Sequence, residues 1–153
     1  MSTPEERIAE LGLELPEVAR PLAAYVPTAR TGSLVYTAGQ LPLVKGELPV
    51  TGKVGAEVTA DQAAAQARVC ALNAIAALKA EVGDLSKIVR IVKVVGFVAS
   101  APDFTGQPQV INGASDLLGE VFGEAGAHAR SAVGVAVLPR NAPVEVEVIA
   151  EVR

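Results

Sequence analysis

Residues 128–152 read HARSAVGVAVLPRNAPVEVEVIAEV, and the architecture follows from this run. Its second half alternates strictly, with Val144, Val146, Val148, Ala150 and Val152 on one face and Glu145, Glu147, Ile149 and Glu151 on the other. A period of two marks a strand with one buried face. The first half, residues 129–138, consists mostly of small and β-branched residues and reads as another strand. Pro139, Asn141 and Pro143 supply turn chemistry between them, so a hairpin is expected. Arg130 stands at the head of the first strand among small or apolar neighbours. Ala132 and Gly134, on its side of the pleat, leave room for a guanidinium, whose planar fork matches a carboxylate.

Working outward, residues 88–99, IVRIVKVVGFVA, are broken only by Arg90 and Lys93. A strand apolar on both faces belongs at the centre of a sheet, covered on both sides. Two helices flank it. The first opens on the capping box Thr59-x-x-Gln62, stops at Gly83, and carries a buried stripe of Ala67, Cys70, Ala71, Ala74 and Leu78. The second spans residues 109–124, with Val110, Ile111, Ala114, Leu117, Leu118, Val121 and Phe122 at helical spacing. Asn112 lies near its first turn. Residues 25–40 read as two strands around Thr31-Gly32, and Thr3-Pro4-Glu5-Glu6 caps a short helix reaching about Leu11. Residues 43–58 hold Gly46, Gly52 and Gly55 and read as a loop or a frayed hairpin. Gly52-Lys53-Val54-Gly55 lacks the spacing of a phosphate loop.

This order predicts an α+β domain over residues 1–153: one mixed sheet with two main helices on one face. Two helices cover only one face, so a second copy of the chain is expected to bury the other. Half of the 153 residues are hydrophobic but there are only three Phe, two Tyr and no Trp, so the core is expected to be aliphatic. A net charge of −4 argues against non-specific nucleic-acid binding. The lone cysteine, Cys70, reads as a small hydrophobe in a helix and fits a reducing compartment. An acidic N-terminus without an apolar segment, and no run of about 18 apolar residues, predict a cytoplasmic protein with no membrane partner. His128 is the only histidine, so neither a metal site nor a Ser-His-Asp set is expected.

The pattern Ala129-Arg130-Ser131-x-Val133-x-Val135-x-x-Leu138-Pro139, followed by Val144-Glu145-Val146-Glu147-x-Ile149-Ala150, resembles the C-terminal signature of the RidA (YjgF) family. Tyr25-Val26 and Thr37-Ala38-Gly39-Gln40-Leu41-Pro42 give a second point of similarity. The resemblance implies an α/β (α+β), chorismate-mutase-like fold with a six-stranded mixed sheet. It also implies a homotrimer packed around a threefold axis, with active sites between subunits. The activity it implies is cofactor-independent hydrolysis of reactive enamines and imines to keto acids. Arg130 would bind the substrate carboxylate, and Glu145, the first of the Glu-x-Glu pair, would be the base, with Glu147 as the alternative. Tyr25, Gly39, Asn112 and Ala132 would complete the substrate site. The chain departs from the family pattern at Ala38, where serine is common, at Ala132, where many members have cysteine, and at His128, where proline is common. At Ala132 only a backbone carbonyl is then left to bind an amine. Residues 1–20 read as an N-terminal extension.

The expected hairpin adds a constraint of its own. With the turn near Asn141, Glu145 pairs with about Val137 and Arg130 lies about seven residues beyond, roughly 23 Å away. Either a strong bend intervenes, or Arg130 of one subunit meets Glu145 of another; the second agrees with the oligomer expected above. Three functions are compatible with the sequence. The first is an imine deaminase acting on 2-aminoacrylate-type intermediates. The second is a carboxylate-binding module without turnover, which the missing serine and cysteine allow. The third is a ribonuclease or translation inhibitor, which the acidic charge and scarce aromatics disfavour.

Overall fold

The computed structural model describes residues 2–18 and 23–153. Of the segment read as an extension, residues 1, 19 and 20 lie outside them. Helix α1 (Pro4–Glu10) begins with the expected capping box, in which Thr3 accepts from the Glu6 amide and Glu6 reaches back to the Thr3 amide. It is tied to the body of the domain. Ile8 is buried, Glu5 pairs with Lys79 at 2.8 Å, and Arg7 donates to the Val121 carbonyl.

Strands β1 (Thr28–Thr31) and β2 (Leu34–Thr37) form the hairpin around Thr31-Gly32. Helix α2 (Ala60–Val82) starts at the Thr59/Gln62 capping box and ends at Gly83. Strand β3 (Ile88–Ala99), helix α3 (Gln107–Phe122), β4 (Ala129–Val135) and β5 (Val144–Val152) complete the chain. The sheet order is β1-β2-β5-β3-β4, antiparallel throughout except for the parallel β3–β4 pair. Helix α3 makes the crossover that a parallel pair requires.

Two expectations are corrected. The sheet has five strands, not six. The candidates beyond them shrink to isolated bridges, Gln40 with Val146 and Val54 with Ser100. Gly46, Gly52 and Gly55 all take positive φ in that region, which breaks up any longer run. The run 128–152 is also not a hairpin. β4 and β5 lie on either side of β3 and never pair. Residues 136–143 are long enough to pass over the end of one strand, roughly 10 Å for two strand spacings. Arg140 and Asn141 turn the chain there with φ of 59° and 61°. Alternation fixes which face a side chain takes, but not which strand is its neighbour.

Both helices pack on one face. Val35, Val144, Val146, Val148 and Ala150 from that face are buried against Ala67, Cys70, Ala71 and Ala74 of α2 and Ile111 and Leu117 of α3. The helices approach closely because Gly113 of α3 faces the Ala64 carbonyl, which a Cβ would strike. The other face has no cover among the described residues. Lys93, Val95 and Phe97 of β3 are only partly buried there, and Tyr36, Val89 and Val133 are 40%, 43% and 43% exposed. No helix among the described residues is long and apolar enough to cross a membrane.

Candidate active site

All the predicted site residues but Tyr25 fall into two groups. Strand register sets Arg130 level with Val94 and Val148, both buried on the helix-covered face. Directly paired residues share a face, so Arg130 points towards α3. There its Nη1 donates to Asn112 Oδ1 at 2.8 Å and to Ser115 Oγ at 3.2 Å. Asn112 and Ser115 stand one helical turn apart and so present their polar atoms together. Ser115 in turn lies 2.9 Å from His128 Nε2, and His128 Nδ1 lies 2.6 Å from the Gly126 carbonyl. Arg130 is half-buried and has no carboxylate partner among the described residues. The space expected beside it at Gly134 is taken up, since Gln107 Nε2 and Ser100 Oγ crowd that backbone. Ala132 stands level with Gly96 on the same face.

The second cluster is on the open face. Glu145 is level with Phe97 on β3, which is level with Val133 on β4. Its carboxylate lies over Gly39, where any Cβ would collide with it. Gly39 sits at the irregularity between β2 and the Gln40–Val146 bridge, and its amide has no hydrogen-bond partner among the described residues. Burial raises the Glu145 pKa above the ordinary glutamate value, and the neighbouring Glu147 carboxylate adds to the rise. A carboxyl group so placed holds a proton more readily than one in water, which suits proton transfer.

One chain thus brings Arg130 to Asn112, and Glu145 to Gly39, but keeps the pairs apart. They lie on opposite faces of the sheet, two strands and three residues distant, each offset about 10 Å. The hairpin distance estimated from sequence is superseded, and within a single chain the separation stands for a different reason. Tyr25 is joined to neither cluster: it is 59% exposed ahead of β1 and forms no hydrogen bond among the described residues. The residues that sequence reasoning missed are Ser115 and His128. Spacing could have pointed to both, since 112 and 115 share a helix face and 128 and 130 share a side of an extended chain. Cys70 is fully buried, with its thiol 3.8 Å from the Val144 carbonyl, and burial followed by the Glu145 charge pushes its pKa well up, so it stays a neutral filler. The described residues contain no cluster of side chains suited to a metal ion.

A mixed sheet with two long helices on one face, and an arginine held by α3 at the head of β4, are the features by which the chain is compared with known proteins. Residues 5–152 match the family described as "YjgF/chorismate mutase-like, putative endoribonuclease", and the chain belongs to this RidA/YjgF family. It is similar to the Agrobacterium tumefaciens protein Atu1372, whose structure carries the words "unknown function": 50% identity, 98% of this chain and 92% of that one, TM-score 0.93. It is also similar to a "putative endoribonuclease" from Shewanella oneidensis, at 42% identity over 99% of this chain and all of the other, with a TM-score of 0.96. E. coli TdcF, solved with bound serine, matches less tightly: 29% identity, 91% and 94% coverage, TM-score 0.63.

Proposed function

We propose that the chain is a cofactor-independent deaminase that hydrolyses small enamine and imine acids of the 2-aminoacrylate type to 2-keto acids and ammonia. The observation that carries this reading is Arg130, a half-buried guanidinium pinned by Asn112 and Ser115 and lacking a counter-ion among the described residues. A cation in that condition is a ready site for a carboxylate, and such a charge-assisted bond contributes about 1.5–3 kcal/mol. The serine bound to TdcF is a small amino acid with a carboxylate of its own.

In the proposed reaction, the imine reacts in its N-protonated form: water adds to its carbon while Glu145 takes a proton from that water, leaving a neutral carbinolamine. Glu145 then gives this proton to the amine nitrogen, the C–N bond breaks to release ammonia as the C=O bond forms, and the hydroxyl proton passes to Glu145, which returns it to solvent. The raised proton affinity of Glu145 supports this double duty, and the Gly39 amide beside it, unpartnered among the described residues, offers a donor to the substrate. Because the two half-sites lie on opposite faces, the working site is formed between copies of the chain. Arg130, Asn112 and the Ala132 backbone come from one copy, and Glu145 and Gly39 from the next, with Tyr25 at the pocket mouth. A homotrimer closes such a head-to-tail contact and covers the open sheet face.

The test is release of keto acid from an imine generated in situ by a separate enzyme. Wild type should accelerate it and Arg130→Ala should not. Equal rates for the two would remove the reading. A non-catalytic carboxylate-binding module is the second reading, favoured by Ala38 and Ala132 in place of a hydroxyl and a thiol. Calorimetric binding of a keto acid by a wild type without turnover would select it. Ribonuclease activity, which the family description mentions, is opposed by the net charge of −4 and by a single imidazole already engaged on both nitrogens.

A further inference from the structure

We propose that Ser115 and His128 are positioning residues for Arg130, and that the polarity of their hydrogen-bonded chain dictates which edge of the guanidinium receives the ligand. This rests on the reading of Arg130 as a carboxylate anchor and specifies how the anchor is held.

The polarity follows atom by atom. The Gly126 carbonyl can only accept, so His128 Nδ1, 2.6 Å away, carries the hydrogen. The neutral ring then has its lone pair on Nε2, and the Ser115 hydroxyl, 2.9 Å away, donates to it. The lone pairs of that hydroxyl are left facing Arg130 Nη1 at 3.2 Å, and Asn112 Oδ1 takes the other Nη1 hydrogen at 2.8 Å. Both hydrogens of Nη1 are thereby committed to α3. The hydrogens on Nε and Nη2 have no partner among the described residues, and they form the side-on fork that accepts a carboxylate through two parallel bonds.

Each part of the relay removes a freedom. Arginine has many rotamers, and ordering them costs entropy that the free protein here meets in advance. A serine hydroxyl without an acceptor would swing and turn its hydrogen towards the guanidinium. His128 prevents this by taking that hydrogen. Ser115 and His128 are each only partly buried, and the contacts recorded between them and Arg130 are polar and directional.

The chain has one histidine, so ¹⁵N-labelled protein shows a single pair of imidazole nitrogens, and their tautomer can be read without assignment. In ligand-free wild type at mildly alkaline pH the hydrogen should sit on Nδ1, and in Ser115→Ala the Nε2 resonance should shift. Ser115→Ala should raise the KM for the imino acid and the Kd for pyruvate about tenfold, with kcat within about twofold. Ser115→Thr keeps the hydroxyl and should restore both. His128→Gln keeps an acceptor near the Nε2 position and should recover most of the affinity that His128→Leu loses. Should Ser115→Ala fail to fold by its thermal midpoint, the His128 pair carries the same comparison.

An Nε2–H tautomer in wild type overturns the relay, as does pyruvate binding unchanged in Ser115→Ala, or a threonine variant no better than alanine. Tautomer and pyruvate binding need no turnover. A wild type that binds pyruvate through Arg130 without deaminating anything therefore sinks the hydrolytic reading and leaves the relay standing. A wild type indifferent to both pyruvate and imine overturns the two together.

Discussion

The two halves of the candidate site are built on opposite principles. At Arg130 the charge is supported: three side chains from α3 and the entry to β4 form a chain of donors and acceptors that ends on a backbone carbonyl. At Glu145 the charge is discouraged: burial and a neighbouring carboxylate push its proton affinity up, and its nearest structural fact is the absence of a side chain at Gly39. A rigid cation suits binding, and a carboxyl whose proton affinity is raised above the ordinary glutamate value suits proton transfer. The contrast predicts a division of labour. Glu145→Gln should lower kcat by about 100-fold or more while the Kd for pyruvate stays within a few-fold of wild type. Loss of pyruvate affinity at unchanged kcat would reverse the assigned roles.

The separation of the halves can be tested directly. Arg130→Ala and Glu145→Gln, each inactive alone, should complement when co-assembled from denaturant in equal amounts. With random assembly in a closed ring, about one interface in four joins an intact Arg130 to an intact Glu145, so about a quarter of wild-type activity should return. No recovery in mixed assemblies of the correct mass would mean that the two groups do not act across an interface.

Faces were legible in the sequence and neighbours were not. The alternation of residues 144–152 correctly sorted the valines from the glutamates, and the two capping boxes marked the starts of α1 and α2 to the residue. Strand order was hidden, because the pleat of β5 looks the same whether β4 or β3 lies beside it. The pairing of Asn112 with Arg130 and of Gly39 with Glu145 needed three dimensions, since β3 separates β4 from β5 and α3 folds back over β4. His128 was weighed as a metal ligand and set aside. Its actual partner, Ser115, is thirteen positions away on another element, and no local pattern announces such a bond.

Gly39 sharpens the comparison from the other direction. Gly39→Ala places a methyl group where the Glu145 carboxylate now lies. A carboxylate at the end of a flexible side chain can move aside, so the stability change should stay within about 1 kcal/mol, while turnover falls on the order of tenfold as the base leaves its position. No variant in the Arg130 cluster should behave this way, because there the ligand-binding group is held by bonds instead of by space. A Gly39→Ala protein with full turnover would show that the position of the Glu145 carboxylate over Gly39 does not matter to the reaction.

The smallest effect concerns stability against pH. In the folded chain Glu145 has a pKa above that of an ordinary glutamate, with burial as the first cause. The folded state therefore binds this proton more tightly than the unfolded state. The linkage relation then makes the group's contribution fully favourable below the unfolded pKa, near 4.3, and lost as pH rises through the higher folded value. At neutral pH the wild type carries a partly desolvated charge that glutamine lacks. Glu145→Gln should accordingly melt a few degrees above wild type at pH 7, and the two should converge as pH falls towards 4. The Arg130 cluster offers no such gain, since Arg130→Ala strands Asn112 and Ser115 without their donor and should melt at or below wild type at every pH. A gap that widened on acidification would mean that Glu145 is stabilised as a carboxylate, and the distinction between a supported charge and a discouraged one would be lost.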